Sequence, residues 1–279
     1  MEIRLQPDLA TFVALAGPLY RADPVTHTVA LTVLEQPLDF HTLLTVHRGG
    51  TDDSDDVVGA ALRTPPSPLA VSGLPEAAAM AAASVLADHD PGLDQVFGPR
   101  ERAEAFAEAW CTVTGAVART LVAQRGFRLG ELVAPAEVAG SVRGAGPSDL
   151  ELAWEWQRAF AEEATPHSPA PTRDKVLQQL TGFGCTLFWE LPGGEPVAMA
   201  RASTPLAGIS RITWVYTPTA MRGHGYGSAV TAAASRWALD AGASDVVLFT
   251  DLSNPTTNAI YPRLGYRPVH DAVVLGLAV

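Results

Sequence analysis

Residues 221–230 read MRGHGYGSAV. They lie between a β-rich run, ISRITWVYT (209–217), and a run with helical spacing that continues to about residue 240, with Gly242 past its end. Three glycines, Gly223, Gly225 and Gly227, alternate with other residues at the junction. A strand, a glycine turn and a helix in this order place unpaired N–H groups and the positive end of a helix dipole at one spot, which suits an anion. Glycine also lets backbone approach a bulky diphosphate without a Cβ in the way. Two familiar phosphate loops are excluded. A P-loop needs GxxxxGK followed by Ser or Thr, and no lysine is nearby; Lys175 is the only lysine in the chain. A dinucleotide turn needs GxGxxG, but the sixth position is Ser228 counted from Gly223 and Val230 counted from Gly225. A glycine turn that holds no ligand stays open on these residues alone.

The surrounding pattern is α/β. Helical spacing at Leu152, Trp156 and Phe160 predicts a helix over 149–164, with Asp149 as a possible cap. A shorter helix, RDKVLQQLTGFG, follows the loop TPHSPAPT. CTLFWEL (185–191) and VAMARAST (197–204) read as strands joined by the turn PGGEP. DVVLFTD (245–251) reads as a buried strand, NPTTNAIYPRLGY (254–266) as a short helix, and AVVLGLA as a terminal strand.

Arg222-Gly223-His224-Gly225-Tyr226-Gly227 resembles the R/Q-x-x-G-x-G/A signature of the GNAT superfamily of N-acetyltransferases. WVYTP (214–218) stands where that family's fourth strand stands. Asn254, Tyr261 and Leu264-Gly265-Tyr266 match its closing motif, and the strong resemblance spans roughly 185–270. The resemblance implies a mixed sheet in which two parallel strands, TWVYT (213–217) and VVLFT (246–250), splay to admit acetyl-CoA. It implies that the amides of Gly223, His224, Gly225, Tyr226, Gly227 and Ser228 take the pyrophosphate. Arg222 adds charge or shapes the loop, and Val215, Tyr216 and Thr217 border the pantetheine arm. It further implies transfer of an acetyl group to a primary amine of a small molecule or peptide by direct attack.

That chemistry needs an amine that has lost its proton, from an ordinary pKa of about 10.4. It needs a donor for the oxyanion, for which a strand amide near Val215 or Tyr216 is placed. The leaving thiolate benefits from a proton, and Tyr261 matches the family's tyrosine for that role. A core aromatic with a satisfied hydroxyl is the other reading of Tyr261, and Pro262 beside it would kink a helix interior. Asn254 and Asn258 either contact the cofactor or cap the short helix. No general base is identified: Glu162, Glu163 and Glu190 are candidates that read equally as solvated acids. His167 and His224 are noted, the latter for its backbone rather than its ring. No metal-ligand cluster stands out. A non-catalytic acyl-CoA-binding module, or transfer of a different acyl group, are the competing readings.

The first half is less clear. HTLLTVHRGG and VVGAALRT read as a strand pair around the acidic loop GGTDDSDD, PPSPLAVSGLP as a Pro-rich break, and 76–88 and 98–115 as helices, the second stopping at Gly115. ARTLVAQRGFRLGELV (118–133) reads as strand, turn and strand. Residues 136–147, rich in Pro, Gly and Ala, read as a linker between a domain over 1–135 and one over 148–279. The first half lacks an R-x-x-G-x-G before its alanine-rich helix, so we expect a degenerate, non-catalytic copy of the same fold, or an unrelated α/β domain.

Charge excludes one class of partner. The net charge is -11, with 18 acids and 10 bases before Gly146 and 12 acids and 9 bases from there on. Neither half offers the cationic surface that nucleic-acid phosphates require. Cys111 and Cys185 are isolated, and no apolar run spans a bilayer. We expect a cytoplasmic protein, monomer or homodimer, with no membrane partner.

Overall fold

The computed structural model describes residues 1–36, 38–49, 56–167 and 170–278. The elements along the chain are β1 (Glu2–Leu5), α1 (Leu9–Ala22), α2 (Thr28–Leu34), β2 (Thr42–His47), β3 (Val57–Arg63), β4 (Leu69–Gly73), α3 (Ala79–His89), β5 (Gln95–Pro99), α4 (Arg100–Thr114) and β6 (Val117–Leu129). They continue with β7 (Ser141–Gly144), α5 (Leu150–Ala164), α6 (Arg173–Thr181), β8 (Cys185–Glu190), β9 (Pro196–Ala202), β10 (Ile209–Tyr216), α7 (Tyr226–Asp240), β11 (Asp245–Asp251), α8 (Pro255–Arg263) and β12 (Tyr266–Ala278).

Packing divides the chain into two compact units, Met1–Gln124 with His270–Val279, and Arg125–Val269. The sequence reading placed the change at 136–147 instead. The first unit's strands run in the order β1-β2-β3-β4-β5-β12, and the second unit's in the order β6-β11-β10-β9-β8-β7. Each unit repeats one succession: strand, two helices, three strands, helix, strand, helix. In both, the first four strands pair antiparallel and the fourth and fifth pair parallel, β4 with β5 and β10 with β11. The expected copy of the fold in the first half is therefore present as topology. A parallel pair needs a crossover, and α3 and α7 supply it.

The second unit has a core on each sheet face. Ala200, Ala202 and Ile212 pack with Tyr226, Val230 and Ala234 of α7. Phe188 and Met199 pack with Ala153 and Trp156 of α5 and Val176 of α6. Small residues dominate the buried side of α7, including Ala229, Ala232, Ala234 and Ser235, so the helix can lie close to the sheet.

Several expectations need correction. ARTLVAQRGFRLGELV does not turn: β6 runs unbroken through Gly126. The linker stretch contains β7, whose Ser141 to Gly144 pair with Glu190 to Leu187. PPSPLAVSGLP contains β4, and β1 and β5 are further strands the pattern left unmarked. Asp149 does not cap α5 with its side chain; its carboxylate accepts from the Gly146 N–H at 2.8 Å and from Arg143. The acidic loop at 50–55 lies outside the described residues.

Candidate active site

β10 leaves both its neighbours before it ends. Its registered pairing with β11 covers Ile209, Ser210 and Arg211 opposite Asp245, Val246 and Val247. Ile212 to Tyr216 continue as strand without a registered partner there. On its other side, Thr213 stands opposite Arg201 and Tyr216 opposite Met199, so Trp214 and Val215 together face one residue of β9. This is a bulge. Trp214 carries the local distortion with φ +54°, a region costly for a side chain of its size. Its ring meets Phe160 of α5 edge-on at 5.4 Å. The parallel strands thus separate where the sequence placed TWVYT and VVLFT.

The glycine turn follows. Gly223 and Gly225 have φ +86° and +82°, left-handed values that a β-branched side chain would resist. Tyr226 opens α7, and Gly225 caps it without a side chain. The first intrahelical bond is from the Ala229 N–H to the Gly225 carbonyl at 3.0 Å. Among the described residues, no acceptor takes the N–H groups of Gly223 through Ser228. The arrangement is an anion nest at the positive end of a fifteen-residue helix. Arg222 turns away from it: its Nε donates to the Thr217 carbonyl at 2.9 Å and its guanidinium pairs with Glu163 at 2.5 Å. The His224 ring stacks on Tyr226 at 5.4 Å.

Tyr261 lies in the last turn of α8, its ring 5% exposed and packed against Phe127 and Tyr266. Burial raises its pKa above the ordinary phenol value, so the hydroxyl keeps its proton at neutral pH. Tyr266 bonds Ser235 Oγ at 2.6 Å, whereas the Tyr261 hydroxyl bonds to no described side chain or backbone group. Asn254 caps α8 through Oδ1 to the N–H groups of Thr256 and Thr257 at 3.1 and 3.2 Å. Asn258 Nδ2 donates to the carbonyls of Asp251 and Asn254 at 2.8 and 2.7 Å, binding α8 to the end of β11. Both asparagines are engaged in shaping the turn, while Asn258 Oδ1 is buried without a partner.

Residues 150–266 match the family model described as the acetyltransferase (GNAT) family. This segment is a GNAT acetyltransferase domain. In fold, the whole chain is similar to a GCN5-related N-acetyltransferase from Sphaerobacter thermophilus, at 18% identity over 99% of this chain and 94% of that one, TM-score 0.65. It is also similar to an acetyltransferase from the GNAT family of Colwellia psychrerythraea, at 11% identity over 100% of each chain, TM-score 0.62. A tandem GNAT protein from the clavulanic acid biosynthesis pathway aligns at 15% identity over 99% of this chain and 98% of that one, TM-score 0.60. At such identities the likeness is one of fold. No curated protein gives a match in sequence.

The acids of the GNAT domain separate into clear groups. Glu190 is held by Arg143 Nε at 2.6 Å in a network with Asp149, which leaves it a structural partner. Glu162 is exposed and pairs with Arg158 one helical turn away. Glu163 reaches the end of β10: one oxygen pairs with Arg222 and the other accepts from the Tyr216 hydroxyl at 3.5 Å. Partial burial raises the Tyr216 phenol, and the Glu163 charge raises it further. Glu163 is thus the one acid of the three beside the loop, a placement that needs the fold because 59 residues separate it from Arg222. His167 is exposed in the α5–α6 loop, where residues 168–169 lie outside the described residues. Among the described residues no cluster of His, Cys, Asp and Glu could hold a metal, and no helix is long and apolar enough to cross a membrane.

Proposed function

We propose that the GNAT domain binds acetyl-CoA and transfers its acetyl group to a primary amine of a small molecule or peptide. The carrying observation is the unbroken row of free amides from Gly223 to Ser228 beside the end of the splayed strand β10. Those amides suit a diphosphate, and the left-handed glycines leave no Cβ in its path. Arg222 acts by fixing the loop, since its Nε and one terminal nitrogen are engaged by Thr217 and Glu163. Beyond Arg211, the β10 edge offers backbone groups at Val215 and the N–H of Thr217 to an extended arm, as an added strand would use them.

When bound, acetyl-CoA supplies a thioester whose acyl carbon takes the amine and whose sulfur leaves. Tyr261, whose hydroxyl keeps its proton and bonds to no described group, would give that sulfur a proton. The bulge withdraws Trp214 and Val215 from regular pairing with β9, which makes a strand amide there available to developing negative charge. Asn254 and Asn258 hold α8, and so Tyr261, against the end of β11.

The test is a thermal melt with acetyl-CoA, coenzyme A, NAD and ATP, followed by turnover against an amine panel. At 100 times its dissociation constant a ligand stabilises by about 2.7 kcal/mol, so a selective shift with acetyl-CoA is expected. Tyr261→Phe should keep that shift and lower turnover by about 100-fold or more. A shift with NAD or ATP alone defeats the reading. A shift without turnover in any form leaves a binding module.

A further inference from the structure

The second unit holds a pair of cations that the acyl-transfer reading does not use. Arg201 of β9 stands opposite Thr213, and the Ser203 N–H donates to the Arg211 carbonyl at 3.0 Å. Arg201 and Arg211 are therefore diagonal neighbours on one sheet face, within reach of each other's long side chains. It is the face of Met199 and of helices α5 and α6, because Ala200, Ala202 and Ile212 point to the α7 side.

Two like charges so placed call for a counter-charge. Among the described residues neither arginine has an ion pair with a carboxylate. Arg201 donates to the Phe183 carbonyl just past the end of α6. Among the described residues the Arg211 guanidinium has no hydrogen-bond partner, and the Nε atoms of both residues are buried without one. Burial brings Arg211 down to about 10, and the Arg201 charge presses the same way. Both side chains are partly buried, and neither has a carboxylate to offset its charge, which is the arrangement of a site rather than of a core.

We propose that Arg201 and Arg211 bind an oxyanion, a carboxylate or phosphate group carried by a small molecule or peptide. Their planar donor forks match either group bidentately. The site is separate from the glycine loop: Arg211 precedes Tyr216 by five residues, about 16 Å of strand. It does not depend on the acyl-transfer reading.

Inorganic phosphate and succinate are titrated into the full chain at constant ionic strength set with chloride, and melting is followed for the natural chain, Arg211→Met and Arg211→Lys. The natural chain should gain about 2–4 °C with at least one of the two anions. Arg211→Met should lose that gain, and Arg211→Lys should restore part of it. A response to phosphate alone assigns a phosphate-bearing ligand, to succinate alone a carboxylate. Equal gains in the natural chain and Arg211→Met would place the anion at the glycine loop and overturn the proposal, as would no gain up to about 50 mM. Should Arg211→Met not fold, Arg201→Met serves as the charge-removing variant with the same expectations.

Discussion

The fourth strand of each succession bulges against the third, β4 at Val71–Ser72 and β10 at Trp214–Val215, but the two units finish that strand differently. In the second, β10 runs on past its pairing with β11, bulges, and passes through left-handed glycines into α7. In the first, β4 ends at Gly73 and the chain passes through Leu74, Pro75 and a short 3-10 turn into α3. There the N–H groups of Leu74, Ala78 and Ala79 bond to the carbonyls of Val71, Pro75 and Glu76, so the donors do not form an unbroken row. Pro75 has no N–H, and Glu76 brings a negative charge where a diphosphate would sit. Registered pairing of β4 with β5 likewise stops, at Ala70 opposite Phe97, but Gly98 of β5 still lies against the end of β4: a Cβ on it would lie 2.9 Å from the Val71 side chain and 3.4 Å from the Ser72 nitrogen. Arg102 of α4 donates to the Ser72 carbonyl, and His27 meets the Ser72 hydroxyl at 3.1 Å. The first unit fills with its own side chains the strand end that the second leaves open. The lesson is that one topology can be kept without the row of free amides, because that row depends on a few backbone groups remaining unpaired.

The largest test of this contrast removes the nest. Gly225→Val puts a β-branched residue at φ +82°, with its Cβ 3.2 Å from Val138. Strain of about 1–3 kcal/mol and the misaimed amides together should weaken acetyl-CoA binding about 1,000-fold. Calorimetric titration measures the loss, and circular dichroism checks that the fold persists. Binding within tenfold of the natural chain would mean that the loop is not the anchor.

A second test concerns how the first unit closes its strand end. His27 is 5% exposed, its ring edge-on to Tyr20 with centroids 5.2 Å apart, and burial first, then the Arg102 charge, lowers its pKa from 6.5 to about 4. Between those values the unfolded chain binds a proton that the folded chain refuses, so stability falls as pH drops through the window. The full effect is at most about 3 kcal/mol. Urea unfolding from pH 7 to 4 should therefore show a smaller loss in His27→Gln than in the natural chain. Parallel curves would mean that the imidazole is not the group closing β4.

What was legible in the sequence follows from where the information lies. The glycine turn and α7 were readable because local chemistry sets both: Gly223 and Gly225 take up left-handed backbone and Tyr226–Asp240 keeps helical spacing. β4 was hidden because LAVSG is short, lacks alternation and is surrounded by prolines, although every residue of it is buried. Gly126 suggests a turn within β6, but the backbone stays extended through it, as a glycine can in a strand. The bulge at Trp214 and the Glu163–Arg222 pair had no local signal, since each arises from elements brought together by the fold. Asn254 is a cap by residue type, and only the geometry shows that its oxygen is spent there.

The smallest effect bears most directly on the comparison. If Arg102 merely blocks a site otherwise intact in the first unit, Arg102→Met should let a second acetyl-CoA bind. The backbone argues against this, because removing the guanidinium neither separates β4 from β5 at Gly98 nor frees the amides before α3. The variant should lose about 1–3 kcal/mol of stability, as the Ser72 carbonyl gives up its charged donor. The calorimetric stoichiometry should stay at one ligand per chain. A stoichiometry of two would show that a single side chain, rather than the path of the turn, separates a working copy of this fold from a silent one.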